Sequence, residues 1–189
     1  MERLVRADHH AGHLAEAATR TLRAYGAEVL GFLVAVLRDE RDAAEVYSRA
    51  CADLWSGLPG FRWESSMRTW LYALARNAAH AHRRDPHRRR RVGLDEHPEV
   101  EDIPARERTA TAPYLQSESK IRVRRLRESL SPDDQMLLIL RIDREMSWND
   151  IARVMGDGEE DLVRAAAALR KRFERVKDRL RTLVATASP

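Results

Sequence analysis

The chain has 189 residues, 43% hydrophobic and 34% charged, with only 8 glycines and 7 prolines. That length holds one medium core or two small ones, and the composition excludes collagen-like, disordered and membrane-spanning chains while fitting helical globular structure better than a β-sandwich. The formal net charge is +4, and all but three of the 34 basic residues are arginine. That excess suits phosphates and base edges, or reflects a GC-rich genome, so the position of each charge has to decide. A single cysteine, Cys51, excludes an internal disulfide and fits a reducing cytoplasm. The start Met1-Glu2-Arg3-Leu4 lacks a signal peptide's apolar core, and the longest apolar run, residues 29–37 with Gly31 inside it, falls far short of the ~18 residues of a membrane span. A soluble, cytoplasmic protein without direct membrane insertion is expected.

Residues 11–37 carry Leu14, Ala18, Leu22, Tyr25, Val29, Phe32, Leu33 and Val36 on one stripe at helical spacing, which predicts a first helix. After the charged break at 38–41, Asp42 is placed to cap a second helix over 43–58, stopped by Pro59-Gly60, with Val46, Cys51, Leu54 and Trp55 on its apolar side. A polar loop, Phe61-Arg62-Trp63-Glu64-Ser65-Ser66, leads into a third helix capped by Ser65 or Ser66, with Met67, Trp70, Leu71, Leu74 and Ala78 facing inward. Together these make one unit over 11–84.

Four prolines, Pro86, Pro98, Pro104 and Pro113, and little apolar periodicity mark 85–119 as a linker. Its basic run at 88–91 gives way to an acidic stretch with Asp95, Glu96, Glu99, Glu101 and Asp102. A second helical unit follows over 120–184. Its helices are predicted over 120–130, over 133–143 behind the Ser131 cap and Pro132, over 148–155 behind Ser147, and over 159–183 after the turn Gly156-Asp157-Gly158. The fold class is all-α: two small helical domains joined by an irregular linker.

A short helix, a glycine turn and a strongly basic helix are the parts of a helix-turn-helix, which places Arg170, Lys171, Arg172 and Arg175 toward DNA, although a basic helix is as often a solvated face. In the first unit, Arg76, Arg83, Arg84 and residues 88–91, with His80, His82 and His87 among them, follow the loop bearing Phe61 and Trp63. Rings beside positive charge suit single-stranded DNA, while an aromatic pair near a helix start also serves as ordinary core. Two basic ends on a tether suit bivalent DNA binding. His9 and His13 share a helix face at i, i+4, but no third ligand completes a site, and a frayed polar terminus is expected there. No metal or other cofactor is expected. No phosphate loop, nucleophile elbow or His-Glu-x-x-His motif is present, so no catalytic residue is assigned and an enzyme is not expected.

Three stretches resemble the extracytoplasmic-function sigma factors of bacterial RNA polymerase. They are Asp42-Ala43-Ala44-Glu45-Val46 through Leu54-Trp55, Phe61 with Arg68-Thr69-Trp70-Leu71-Tyr72-Ala73-Leu74-Ala75-Arg76-Asn77, and Leu130-Ser131-Pro132 with Ser147-Trp148-Asn149-Asp150-Ile151-Ala152 and Leu169-Arg170-Lys171-Arg172-Phe173. The resemblance implies a promoter-specific initiation factor that binds core RNA polymerase and promoter DNA and helps open the duplex. Asp42, Glu45, Val46, Leu54 and Trp55 would dock on the polymerase clamp. Arg62, Trp63, Glu64, Ser65 and Ser66, with Phe61, Leu74, Ala75 and Asn77, would cradle a base flipped from the minus-ten element, with Arg83 and Arg84 beside them. Arg170, Lys171, Arg172 and Arg175 would read the minus-thirty-five element. The acidic tract over 95–102 would mimic nucleic acid in the polymerase cleft, and an anti-sigma factor is a further partner the resemblance allows.

The chain departs from the family at Ser48, Arg49 and Cys51, where a Gln-Glu pair and a bulky apolar residue are usual, at Met67, and in a longer turn before the recognition helix. Two other readings stay open: a helix-turn-helix regulator that binds duplex DNA alone, and an interaction protein that mimics a sigma factor.

Overall fold

A computed structural model describes residues 1–85, 130–156 and 161–186. The linker beyond Asp85, the helix expected over 120–130 apart from Leu130, the two tracts at 88–91 and 95–102, and Asp157 to Glu160 lie outside the described residues. Among the described residues all regular structure is helical, and no helix is long and apolar enough to cross a membrane.

The first lobe holds α1 (Glu2–His10), α2 (Leu14–Leu37), α3 (Glu40–Gly57), a 3-10 turn (Leu58–Gly60) and α4 (Met67–Arg84). The first lobe therefore begins before residue 11, and its amino terminus is a packed helix rather than a frayed one. Val5 is fully buried, and Arg20 Nε donates to Asp8 Oδ2 at 2.5 Å. Gly12, at φ 78°, divides α1 from α2 in a left-handed conformation that costs glycine no Cβ clash.

The caps explain two shifts in boundary. Asp39, not Asp42, caps α3 by accepting the Asp42 N–H at 2.7 Å, so the charged break is itself the start of the helix. At the other end of the chain Asp161 accepts the Val163 N–H at 2.9 Å, and the last helix starts at Leu162 instead of 159. Ser66 takes the cap of α4, accepting the Thr69 N–H at 3.0 Å.

The second lobe comprises α5 (Pro132–Leu138), which runs on into a π-helical turn (Ile139–Asp143), then α6 (Trp148–Met155) and α7 (Leu162–Thr186). Ser131 and Ser147 cap α5 and α6 by accepting the N–H groups three residues on, at 3.2 and 3.1 Å. Five consecutive residues, Met136, Leu137, Leu138, Ile139 and Leu140, are buried. A single helical stripe cannot bury five in a row. This segment is covered from two sides, by α7 of its own lobe and by α2 of the first.

The two lobes pack together, chiefly α4 on α6, and their buried side chains form one contiguous apolar cluster. A half-buried charge pair ties the seam to the first lobe. Arg68 Nε donates to Glu28 Oε2 at 3.2 Å, and its Nη2 donates both to Glu28 Oε1 and, at 3.0 Å, to the backbone carbonyl of Arg144 in the second lobe. Tyr72 donates its hydroxyl to Glu28 Oε1 at 3.0 Å while its ring meets Phe32 edge-on at 5.2 Å. Burial alone would raise the Glu28 carboxyl, but the hydrogen bond and charge of Arg68 outweigh it and hold Glu28 below the usual carboxylate range.

A folded-state pKa below the unfolded one adds stability above the ordinary glutamate range, and that stability is lost as pH falls through the folded value. Glu28→Gln is expected to cost about 1–2 kcal/mol at neutral pH, the side chain being about a quarter exposed and the pair correspondingly screened. Urea denaturation across an acid series checks this: the gap between wild type and variant should close as pH falls below the carboxylate range, and a constant gap would show that Glu28 acts by shape alone.

Candidate nucleic-acid interface

The loop at 61–66 is built as an aromatic stack held by α1. Phe61 lies flat on Trp70, centroids 4.5 Å apart and planes 22° from parallel, and meets Trp63 at 5.0 Å. Trp63 has φ 60°, a left-handed conformation that a bulky residue adopts only when its surroundings hold it. Two contacts hold it: its Nε1 donates to His9 Nδ1 at 3.2 Å, and the Arg6 guanidinium sits 5.3 Å from its ring centroid. The other His9 nitrogen, Nε2, lies 2.8 Å from the Leu58 carbonyl. A carbonyl only accepts, so the proton is on Nε2 and Nδ1 is free to accept from Trp63; His9 is the neutral tautomer. With both nitrogens engaged, His9 is not available to the cation that the i, i+4 spacing with His13 suggested.

Glu2 completes the strap. Its Oε1 accepts the backbone N–H of Met67, an amide at the open start of α4, and its Oε2 accepts the Tyr25 hydroxyl at 2.9 Å. Sequence reasoning missed Glu2 and Arg6 and weighed His9 only as a metal ligand, because a nine-residue helix with one buried apolar residue, Val5, shows few apolar side chains to read, although an acid at the first helical position was a readable signal.

Beside this loop, a cleft of about 550 Å³ opens between the lobes, with Phe61, Arg62, Glu64, Ser65, Thr69 and Trp70 on one wall and Ala152, Arg153, Leu162 and Ala165 on the other. The Thr69 hydroxyl donates across the seam to Asp150 Oδ1 at 3.0 Å, while Ser66 Oγ lies 2.8 Å from Thr69 Oγ1. The loop expected to hold a flipped base thus borders a space lined by both lobes.

The expected site residues fall into two groups. Arg62, Glu64, Asn77 and Arg84 are exposed, and Trp63, Ser65, Ser66, Phe61 and Leu74 are partly so. Ala75 is fully buried and shapes the helix from beneath. Arg83 turns back, donating to the Val36 carbonyl at 2.8 Å, and burial lowers its pKa. On α3, Asp42, Glu45 and Trp55 reach the surface, Trp55 at 57% exposure, whereas Val46 and Leu54 are core residues that hold the helix rather than present it. In the second lobe Arg170, Lys171 and Arg175 are exposed. Arg172 instead pairs with Asp134 at 2.6 Å, which binds α7 to α5. Arg141 and Arg170 lie 5.0 and 5.8 Å from the ring centroid of Trp148, whose edge packs on Phe173 at 5.5 Å.

The cage around Trp63 sets a measurable balance. Trp63→Gly removes a left-handed strain of about 1–2 kcal/mol but also removes the ring contacts to Phe61, His9 and His10, of which the aromatic pair is worth about 0.5–1.5 kcal/mol, a hydrogen bond and a cation–π contact. The variant is expected to lose about 1–3 kcal/mol in thermal denaturation. A variant as stable as wild type would mean that the strain cancels the cage.

Comparisons with known proteins agree on one family. Residues 21–90 match the family described as Sigma-70 region 2. The chain is 29% identical to the RNA polymerase sigma-H factor of Pseudomonas aeruginosa across 79% of this chain and 82% of that protein. Among solved structures it is similar to CnrH in complex with the cytosolic domain of CnrY, with a TM-score of 0.65 and 17% identity over 99% of each chain. It is also similar to the sigma factor RpoE in complex with the anti-sigma factor NepR from Bartonella quintana, with a TM-score of 0.66 and 17% identity over 89% of this chain and 97% of that one. Residues 21–90 thus carry a Sigma-70 region 2 match, and the chain as a whole is similar in sequence to one RNA polymerase sigma factor and in fold to the two solved complexes.

Proposed function

We propose that the protein binds bacterial core RNA polymerase, reads the minus-ten and minus-thirty-five promoter elements with its first and second lobes, and helps open the duplex without catalysing a reaction. The observation that carries this reading is the strained, caged aromatic loop at 61–66, next to an exposed Asn77 on α4. A duplex-binding regulator has no use for such a loop, whereas an unstacked base finds in it rings to lie against and polar groups to pair with. The exposed side chains of Arg170, Lys171 and Arg175 support phosphate and base contacts by the second lobe. Exposed Trp55 in the last turn of α3, with Asp42 and Glu45 toward its start, supports that helix as a docking element for the polymerase clamp.

The packed arrangement bears on how this would happen. The two promoter elements lie about 25 base pairs apart, roughly 85 Å at 3.4 Å per step, while Thr69 and Asp150 are in hydrogen-bond contact. Reading both elements at once requires the lobes to separate, and the chain between Asp85 and Leu130 is long enough to let them. The similar solved structures are both complexes, CnrH with the cytosolic domain of CnrY and the sigma factor RpoE with the anti-sigma factor NepR. An anti-sigma factor that holds the lobes together is the partner this arrangement would suit.

A reconstituted assay with core polymerase and promoter fragments, with transcript starts sequenced, tests the reading. Starts that depend on the protein and share two upstream elements at fixed spacing are expected. Polymerase binding without starts would favour the mimic, and duplex binding without polymerase would favour the plain regulator. In the same assay Asn77→Ala should reduce promoter opening far more than polymerase affinity. Lys171→Ala should flatten the salt dependence of promoter binding by about one unit of log–log slope; an unchanged slope would remove α7 from the phosphate contacts.

A further inference from the structure

We infer a divalent transition-metal site, of the zinc class, formed by Asp42 and Glu45 of α3 and His82 of α4. The three side chains place one ligand atom each within 4.8 Å of one another. Asp42 and Glu45, three apart on one helix, project from the same face, and the neighbouring antiparallel helix supplies the imidazole. His82 Nε2 lies 3.7 Å from Asp42 Oδ2, and Nδ1 lies 4.0 Å from Glu45 Oε1.

Those distances are too long for hydrogen bonds. Metal–ligand bonds of about 2.0–2.1 Å at a tetrahedral angle set donor atoms about 3.4 Å apart; with Nε2 as the one imidazole donor, an ion needs a contraction of only a few tenths of an ångström to Asp42 and a swing of the Glu45 carboxylate round from the Nδ1 side, which its 73% exposure permits. The imidazole supplies a second, independent observation. The His82 side chain is only 12% exposed, and its Nε2 is shut off from solvent without a hydrogen-bond partner. A buried ring nitrogen left unpaired is costly and calls for an explanation. A cation bound at its lone pair satisfies it, while the two carboxylates supply the charge. One nitrogen and two oxygen donors, with water completing the shell, suit zinc or a neighbouring first-row ion better than calcium or magnesium, which prefer oxygen alone.

The position gives the site a consequence. Asp42 and Glu45 belong to the α3 face proposed above to dock on polymerase, so a bound cation would neutralise two of its charges and lower polymerase affinity. This second half rests on that docking reading; the metal site itself does not.

The experiment is zinc competition against a chromophoric indicator, using the full chain with His10→Gln and His13→Gln introduced to remove exposed amino-terminal imidazoles. One zinc per chain is expected, with affinity reduced at least tenfold by Glu45→Gln and by His82→Gln. Glu45 is exposed, so Glu45→Gln should keep the metal-free melting curve and separate ligation from folding. No stoichiometric zinc, or binding equal in all three proteins, overturns the site and marks the trio as a histidine–carboxylate pair. Polymerase affinity measured with zinc and with chelator then reads the second half: a zinc-dependent loss that His82→Gln abolishes supports it. Zinc bound at the trio with polymerase affinity unchanged overturns the regulatory consequence and the α3 docking face, and leaves the metal site standing.

Discussion

The structure turns on one arginine. Arg68 stands in the first turn of α4, yet its guanidinium reaches α2 through Glu28 and the second lobe through the Arg144 carbonyl. Guanidinium geometry allows this because its donors fan out in a fixed plane, so one side chain can serve a carboxylate through Nε and Nη2 and a carbonyl through the second hydrogen of Nη2. A lysine could not hold both. With Tyr72 closing the remaining side of Glu28, the charge is compensated, and the half-buried pair aligns three elements that the apolar core alone would leave free to slide.

A second constraint is the start of α4, where unsatisfied amides gather. Ser66 caps one from within the loop, and Glu2, at the start of α1 and 65 residues away in sequence, takes another. The loop between is thus bounded by α1 on one side and by α4 on the other, and the aromatic stack of Phe61, Trp63 and Trp70 fills the space between them. The left-handed turn at Trp63 is the local cost of aiming a large ring into that space.

The helices were legible where a single stripe faced a single core. α2, α6 and the Ser131 and Ser147 caps follow from 3.6-residue spacing and from short polar side chains before it. The rest depended on partners distant in sequence. Asp39 and Asp42 both offer a capping carboxylate, and spacing alone does not separate them; the packing of α3 does. Val46 and Leu54 sit on the same helix as Trp55, and only the position of α2 and α4 tells which of them turn inward. Arg172 belongs to a basic run, and its pairing with Asp134, 38 residues away, is invisible until α5 lies beside α7. The aromatic loop and the exposed bases of α7 were read from residue type, while the strap of Glu2, Arg6 and His9 was not, since a short polar helix carries its meaning in contacts rather than in pattern.

The hydrogen bond from Thr69 to Asp150 links a residue beside the aromatic loop to the N-terminal turn of α6. On the function proposed above, binding to separated promoter elements and closure of the lobes compete for one state of the molecule. In equilibrium terms the closed form is a ligand that the protein carries for itself: each 1.4 kcal/mol by which closure is favoured lowers the apparent affinity for an extended template about tenfold. The strength of the seam would thereby set a threshold, and the polar contacts across it are where natural variation would tune how readily the lobes open without altering any residue of the proposed DNA-binding faces.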